Sequence, residues 1–419
     1  MRVLVVGKHF PAVRGTRALQ MFKVTGALHD LGVEVRAMTT ADPVLEEGGA
    51  IEPPVPSFPL ELISAPPYRS GLLQDAVKEL WNKAAFLRRA IRLVSEAIDS
   101  YCPDVLLTAA VPVVFHQVGL KIKQRFPEVR WAAFYSDPRP LQILPKPFGQ
   151  HSMRNSRKLT LHRQIFQRAD AVLAPNTYML EVMEQATGVS LGDRRHVVPH
   201  CGRKAKATPG FSDLPAGCHD LEGYLVHVGS LWSYQVTSDL LLAIRNVARK
   251  YSDRFKGLLC VGQVAPEILA LAEALDMADL VQAVGVVSPA EAEATAAAAP
   301  VNLLADTPLE VGYFLHSKFA DYAVSGRPIL AVGPPKNPMR DYLEQLGGGV
   351  AVVHHRVRIE SALEACFLGP VAGESSGTAC AVAASARLAE PFFAGNVAKR
   401  YVEIFDQLAS GCQAPGRAA

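Results

Sequence analysis

Short runs of apolar residues alternate along the chain with longer segments in which apolar residues recur every three or four positions. The first run, Arg2–Val6, is followed by such a segment and then, after Gly32, by a second run at Val33–Thr39. A continuous apolar run is typical of a strand buried on both faces of a parallel sheet, and glycine often ends a helix. The start of the chain therefore predicts a β-loop-α-β unit.

The same alternation continues over most of the remaining sequence. Further strands are predicted at Pro103–Leu107, Trp131–Tyr135, Ala171–Ala174, His196–Val198, Tyr224–Val228, Gly257–Val261, Leu280–Val284, Val301–Ala305, Ile329–Val332 and Val350–Val353. Helices are predicted over Leu72–Ser100, Val113–Arg125, Ser238–Tyr251, Pro266–Leu275, Pro289–Ala299 and Asn396–Leu408. Residues 41–70 are rich in proline and acidic side chains, which predicts an extended surface loop. Strands that alternate with helices indicate doubly wound parallel sheets.

A change of composition marks a boundary inside the chain. Between Cys201 and Glu222 lysine, proline, glycine and aspartate become frequent, and 419 residues exceed the size of one ordinary core. We therefore predict an N-terminal α/β domain over residues 1–200, a linker over 201–222, a C-terminal α/β domain over 223–390, a final helical segment over 391–412 and a disordered tail over 413–419.

The composition is that of a globular protein, with 49% hydrophobic and 20% charged residues. A net charge of +3 gives no reason to expect nucleic acid as a partner. The seven cysteines are scattered and never form a CxxC pair, which favours reduced thiols. The N-terminus lacks the apolar core of a secretory signal, and no window approaches the ~18 apolar residues of a membrane span. These features predict a cytoplasmic protein.

Several motifs with well-known chemistry are absent from the sequence. It contains no GxxxxGK[ST] phosphate loop, no GxGxxG, no HExxH and no Asp-X-Asp triplet that would hold a diphosphate through a metal ion. His354 and His355 are adjacent just after a predicted strand, where neighbouring side chains diverge, so a shared metal ion is disfavoured. We predict no bound metal and no cofactor.

The segment Thr307–Val332 is the densest in candidate chemistry. A loop ends at Ser317, where a short helix is predicted to begin, and Gly326 ends that helix. A helix that begins at the carboxyl end of parallel strands binds anions through its free amide groups, and Lys318 adds a positive charge there. Asp321 lies one turn further along. The alternative is simple helix capping with an exposed ion pair between Lys318 and Asp321, and residue types alone leave both interpretations open.

Over residues 1 to 410 the chain resembles the group-one family of retaining glycosyltransferases with the GT-B fold. The family's (S/T)KxxEYxxxGxPV segment is similar to Ser317–Tyr322 followed by Gly326–Ile329, and its GSL-type turn is similar to His227–Leu231. Its interdomain VIPNG motif is similar to Val197–Gly202. Leu173–Thr177 and Phe134–Pro138 resemble two further family segments, "ADAVIAVS" and the acceptor-side "HDxxP" turn.

The resemblance implies an α/β protein of the GT-B type: two facing Rossmann-like domains, a cleft between them, and a C-terminal helix that crosses back to the first domain. It implies a glycosyltransferase that moves a sugar from a nucleoside diphosphate sugar to a hydroxyl acceptor, with retention of configuration. That acceptor is a glycan, a lipid-linked glycan or a small molecule. The absence of Asp-X-Asp predicts transfer without metal.

The resemblance also implies which residues form the site. By this resemblance, Lys318 contacts the diphosphate. Asp321 stands in place of the usual glutamate and contacts the ribose. The donor-binding set is Gly229, Ser230, Ser317, Lys318 and Asp321. The predicted catalytic cations are Lys318 and Arg17, with a solvated Arg17 as the alternative. Gly15, Thr16 and Asp137 are predicted to lie on the acceptor side or in the cleft.

The sequence departs from the family at the turn after the second domain's first strand. Many members place an arginine and a lysine there, whereas this chain has Ser230 and Gln235, and Tyr313 occupies the first glutamate position of the family's E-x7-E pair. A non-catalytic GT-B accessory subunit and a sugar-nucleotide epimerase with the same two-domain plan are therefore alternatives.

A basic cluster predicts an anionic acceptor or a peripheral membrane contact, with a solvated helix face as the alternative. It comprises Lys146, Arg154, Arg157, Lys158 and Arg163.

Overall fold

The computed structural model describes residues 1–9, 16–40, 56–63, 75–110, 112–138, 154–202, 214–216, 218, 220–369 and 386–410. For residues 16–17, 75–83 and 154–157 the description covers the backbone only. Contacts divide the chain into two units. The first comprises Met1–Val198 together with the segment from Ala394, and the second comprises Pro199–Phe393.

The first unit is built on a seven-stranded sheet in which every pair of neighbours is parallel, in the order β3-β2-β1-β4-β5-β6-β7. Its strands are β1 Arg2–Val6, β2 Glu34–Thr40, β3 Leu60–Ile63, β4 Val105–Ala109, β5 Arg130–Phe134, β6 Ala171–Ala174 and β7 Arg195–Val197. Its helices are α1 Thr16–Asp30, α2 Asp75–Tyr101, α3 Val114–Arg125, α4 Arg154–Arg168, α5 Thr177–Thr187 and, from the end of the chain, α13 Ala394–Ser410.

The second unit has a six-stranded parallel sheet in the order β10-β9-β8-β11-β12-β13. Its strands are β8 Tyr224–Val228, β9 Gly257–Val261, β10 Val281–Gly285, β11 Val301–Ala305, β12 Ile329–Val332 and β13 Gly349–Val352. Its helices are α6 Ser238–Lys250, α7 Pro266–Ala274, α8 Pro289–Ala298, α9 Ser317–Ser325, α10 Pro338–Leu346, α11 Arg356–Leu368 and α12 Ala386–Ala389.

Both sheets reverse their strand order at one point, between β1 and β4 in the first and between β8 and β11 in the second. In doubly wound sheets the crevice for a ligand opens at the carboxyl ends of the strands at such a switch point. The expected α/β fold with two doubly wound sheets is therefore confirmed, and each unit offers one predictable position for a site.

One expectation about the first unit is wrong. Residues 41–70 were expected to form a loop, but Leu60–Ile63 pair in parallel with β2, from Ala37 with Leu60 to Thr40 with Ile63. This strand lies at the sheet edge and only Ile63 in it is buried, so it lacks the continuous apolar run of an inner strand. The proline-rich sequence around it concealed the strand.

The segment expected to be a linker, residues 201–222, contributes to the second unit. Cys218 and Leu221 are buried in that unit's core, and the Gly202 amide donates to the Phe392 carbonyl over 2.9 Å. The final helix, α13, packs against α1 of the first unit, and its Tyr401 ring lies 6.2 Å from Phe134. The chain thus returns to its first unit at the end, as the GT-B resemblance implies.

Helix α3 packs unusually close to the first sheet because Gly119 faces Trp131. A Cβ atom at position 119 would overlap the Trp131 indole. The indole Nε1 donates to Thr108 Oγ1 over 2.9 Å, and that hydroxyl lies 2.8 Å from Nδ1 of buried His116. The Thr108 hydroxyl thus links the Trp131 indole to the His116 ring, and burial lowers the pKa of His116 to about 3.

We predict that Gly119→Ala lowers the free energy of unfolding by about 1–3 kcal/mol, because the added methyl group must displace the indole. Gly26→Ala is the matched control, since a Cβ there would meet only the Phe58 ring, at 3.9 Å, within helix α1. That control should be neutral or stabilising by up to about 1 kcal/mol. Urea unfolding of the three proteins measures both changes, and equal effects at the two glycines would contradict the packing argument.

Candidate functional site

Polar side chains collect at the carboxyl edge of the second sheet, on both sides of its switch point. His227 is the last but one residue of β8, and Asp306 directly follows β11. Lys318 is the second residue of α9, which begins at the same edge. Because carboxyl ends of neighbouring parallel strands meet there, three chain segments remote in sequence bring their side chains together.

Helix α9 is fixed to the end of β8 by one phenol group. The Tyr322 hydroxyl accepts from the Val228 amide over 2.8 Å and donates to the Val228 carbonyl over 3.2 Å. Tyr322 is buried, and burial raises its pKa, so the hydroxyl keeps the proton that it donates. Gly326 ends the helix in the left-handed conformation, as expected from the sequence. The first turn of α9 is thereby held over the strand end.

The turn after β8 makes room for the lysine. Gly229 has φ +98°, a conformation that residues with a Cβ rarely adopt, and its amide donates to the Val261 carbonyl over 2.7 Å. A Cβ atom on Gly229 would stand 3.5 Å from Lys318 Nζ. Glycine at this position therefore lets the backbone turn sharply beside the amine.

The Lys318 side chain is half-buried and its amine is bound inside the site. Nζ lies 2.9 Å from His227 Nε2 and donates to the Ser230 carbonyl, also over 2.9 Å. An ammonium group only donates, so His227 Nε2 accepts, and its Nδ1–H donates to the Leu303 carbonyl over 3.1 Å. These bonds hold the ammonium inside the site, not in the exposed ion pair with Asp321 that was the alternative.

The electrostatics of this pair follow from burial. Burial, and secondarily the Lys318 charge, lowers the pKa of His227 well below its ordinary value, so this imidazole is neutral. Burial also lowers the pKa of Lys318 to about 7. The amine is consequently poised between its charged and neutral forms near neutral pH.

A second polar cluster adjoins the first and was not predicted. Asp306 Oδ1 accepts from the Thr307 amide over 2.7 Å and lies 3.0 Å from His316 Nε2, while the Asp306 carbonyl lies 2.8 Å from His354 Nε2. His354 Nδ1 in turn lies 3.3 Å from Thr237 Oγ1, so both nitrogens of this ring have partners. The sequence signal was a carboxylate directly after a buried strand.

The remaining predicted donor residues lie on the same two segments. Ser317 is the first residue of α9, and Asp321 lies one turn further along; both are half-buried. Ser230 contributes its carbonyl group to Lys318. Gln235 is buried, and its Oε1 accepts from the Trp232 amide over 3.0 Å. The donor-binding residues of the resemblance are thus brought together within the second unit.

The predicted acceptor-side residues belong to the first unit. Gly15 lies outside the described residues, and Thr16 and Arg17 begin helix α1, where only their backbone is described. Asp137 follows the carboxyl end of β5, is half-buried, and accepts from Ser136 Oγ over 2.9 Å. Asp137 thus lies at the carboxyl edge of the first sheet, where a ligand crevice is expected, and the roles of all four residues stay predictions.

The predicted basic cluster is only partly described. Lys146 lies outside the described residues, and the backbone alone is described for Arg154 and Arg157. Lys158 is exposed, whereas Arg163 Nε donates to the Thr187 carbonyl over 2.7 Å. Arg163 therefore joins α4 to α5. Among the described helices, none is long and apolar enough to cross a membrane.

Comparison with solved structures identifies the fold as GT-B. Anabaena HepE, solved in complex with UDP, matches with a TM-score of 0.66 and 14% identity over 97% of this chain and 100% of HepE. A glycosyltransferase from Rickettsia africae matches with a TM-score of 0.62 and 12% identity over 97% and 98% of the two chains. UDP-GlcNAc 2-epimerase from Methanocaldococcus jannaschii matches with a TM-score of 0.53 and 13% identity over 97% of this chain and 100% of the epimerase chain. No protein-family model and no curated protein matches the sequence.

The buried amine gives a pH-dependent stability. Below pH 7 folded and unfolded chains both hold the Lys318 proton, and the folded chain bears the full cost of the buried charge. The pKa of Lys318 is about 7 in the folded chain and 10.5 ordinarily, so between these pH values only the unfolded chain keeps the proton. The contribution of Lys318 to the free energy of unfolding therefore increases as the pH rises. The melting temperature of the wild type minus that of Lys318→Met should therefore increase from pH 6.5 to pH 9.5. A difference that stays constant across this range would contradict the lowered pKa.

Proposed function

We propose that this protein is a glycosyltransferase that moves a sugar from a nucleoside diphosphate sugar to a hydroxyl acceptor. The observation that carries the proposal is the Lys318 amine, bound beside the first turn of α9 at the switch point of the second sheet. A positive charge next to free helix amides at such an edge is suited to a diphosphate. HepE, of the same fold, has been solved with UDP and with UDP-glucose.

The chemistry needs stabilisation of a departing diphosphate. As the bond between the sugar and the diphosphate breaks, negative charge grows on the leaving group while the sugar becomes oxocarbenium-like. Fixed donors and cations aimed at that charge typically contribute several kcal/mol. Diphosphate binding beside Lys318 favours the charged amine, so an amine with a pKa of about 7 takes up a proton as the donor arrives.

The other parts of the proposal rest on the sequence: on the family resemblance, on the absence of Asp-X-Asp, on the composition and on the basic cluster. Asp321 binds the ribose hydroxyls, Arg17 supplies a second cation, and Gly15, Thr16 and Asp137 lie toward the acceptor. The sugar is transferred with retention of configuration, and the cation Lys318 takes the place of a metal ion. The enzyme works in the cytoplasm on a glycan, a lipid-linked glycan or a small molecule, with a peripheral membrane contact where the acceptor is lipid-linked.

A second candidate function is epimerisation of a sugar nucleotide. The fold is shared with UDP-GlcNAc 2-epimerase from M. jannaschii, and the Asp306–His316 pair is a carboxylate with an imidazole, the groups that move protons in enzymes. An epimerase returns a nucleoside diphosphate sugar with altered configuration, whereas a transferase releases the nucleoside diphosphate. An accessory subunit without catalysis does neither.

Incubation with UDP-glucose and other nucleoside diphosphate sugars tests these functions. We expect release of the nucleoside diphosphate. Release should be slow when the sugar is transferred to water and faster when a suitable acceptor is present, and excess EDTA should not lower the rate. Lys318→Gln should lower the rate by about 100-fold or more, the usual effect of removing one preorganised charge. Conversion to an epimer, seen by NMR, would establish the second candidate, and loss of activity in EDTA that Mg²⁺ or Mn²⁺ restores would refute the metal-free mechanism.

Asp321 separates ribose binding from a purely structural role. Each charge-assisted hydrogen bond to a ribose hydroxyl is worth about 1.5–3 kcal/mol, so Asp321→Asn should weaken UDP binding about tenfold or more. Asp321→Glu restores the residue commoner in the family and should be tolerated far better. Titration calorimetry of UDP against the three proteins gives the answer. Equal dissociation constants, with only melting temperatures altered, would show that Asp321 is structural.

A further inference from the structure

Within the second unit, the single charge of Lys318 is small for a diphosphate, and the turn after β8 adds none in this chain. Ser230 is uncharged and offers its carbonyl group to Lys318. Gln235 is also uncharged, and its buried side chain is engaged with the Trp232 amide. Neither of the two positions that are cationic in many similar enzymes can therefore supply charge to a bound phosphate.

His316 lies where such a charge is needed. It is the N-cap residue of α9, two positions before Lys318, and its side chain makes no capping bond to the helix. Nε2 is bound to Asp306 Oδ1 at 3.0 Å, and Nδ1 has no hydrogen-bond partner among the residues that the structure describes. Asp306 thus holds the Nε2 edge of the ring, and the His316 side chain, which is 19% exposed, stays accessible to a ligand.

The Asp306 carboxyl group is buried behind His316. Its side chain is only 2% exposed, and Oδ2 is buried without a hydrogen-bond partner in the described part of the chain. Gly312 closes in on the carboxylate, since a Cβ atom there would stand 3.1 Å from Oδ2. A buried carboxylate is costly unless a cation compensates it, and within the described residues His316 is the ionisable side chain that lies within ion-pair distance of it.

His316 and Lys318 act on one common neighbour. His227 is bound to Lys318 directly, and its pKa is lowered by burial, by the charge of Lys318 and, more weakly, by that of His316. His316 at the N-cap and Lys318 in the first turn both belong to the N-terminal end of α9, which Lys318 joins to the end of β8. A phosphate group placed at the first turn of this helix is within the field of both.

We propose that His316 joins Lys318 as a phosphate-binding cation of the second unit, donating from Nδ1–H to a diphosphate oxygen. Asp306 is its positioning residue: it accepts from Nε2–H and stabilises the imidazolium. This arrangement supplies in the second unit the charge that Ser230 and Gln235 lack. The inference rests on the proposed function, because it concerns the same nucleoside diphosphate site.

The test is titration calorimetry at pH 6.5 with two probes, UDP and inorganic pyrophosphate. His316→Gln should weaken both about tenfold, and His316→Lys, which keeps a positive charge, should restore both to within about threefold of the wild type. Asp306→Asn should also weaken the binding of UDP and of pyrophosphate. The control is His355→Gln: His355 is also an N-cap histidine without a capping bond, but it is exposed on α11, and its variant should bind like the wild type.

The outcomes separate this inference from the proposed function. If the wild type binds neither probe, the donor site itself is refuted. If the wild type binds and His316→Gln binds equally well, His316 has no phosphate contact. A loss for UDP alone, with pyrophosphate unchanged, or a failure of His316→Lys to restore binding in a folded protein, would likewise overturn the charge role. Melting curves of each variant identify those that are folded.

Discussion

The candidate site depends on the pair of hydrogen bonds between the Tyr322 hydroxyl and the main chain of Val228. They join a helix that begins in a loop to the end of a strand that lies almost a hundred positions earlier. This link helps to fix the start of α9 beside the strand end, where Lys318 contacts His227 and the Ser230 carbonyl. A buried phenol with both of its hydrogen-bonding functions engaged is a rigid connection, because releasing it leaves polar groups of the strand unpaired.

The site carries an electrostatic cost when no ligand is present. An amine beside a neutral imidazole, and a buried carboxylate with one open oxygen, are both less favourable than their solvated forms. Such arrangements persist where the surrounding structure enforces them, and they act on a ligand without further reorganisation. A multiply charged anion placed beside Lys318 would favour the charged amine and so offset part of this cost.

Much of the fold could be predicted from the sequence because inner strands of parallel sheets are continuous apolar runs. Tyr224–Val228, Gly257–Val261 and Val301–Ala305 were predicted with the bounds that the structure has. The edge strand Leu60–Ile63, half-exposed, carries no such run. Within the site, Lys318 was found through a local motif, whereas its partner His227 and the Asp306–His316 pair depend on strand neighbours that only the topology brings together. The spacing of residues within one short motif does not reveal a contact between β8, β11 and α9.

The return of α13 to the first unit has a consequence for biosynthesis. Ala394–Ser410 follow the whole of the second unit in the chain, yet they pack on α1 near its beginning. The first unit is therefore still incomplete when the ribosome has finished the second one. Although domains usually fold in the order in which they emerge, here the unit translated first receives its last helix only after the other is made. Until then, the apolar surface of the first unit that this helix covers is exposed to solvent.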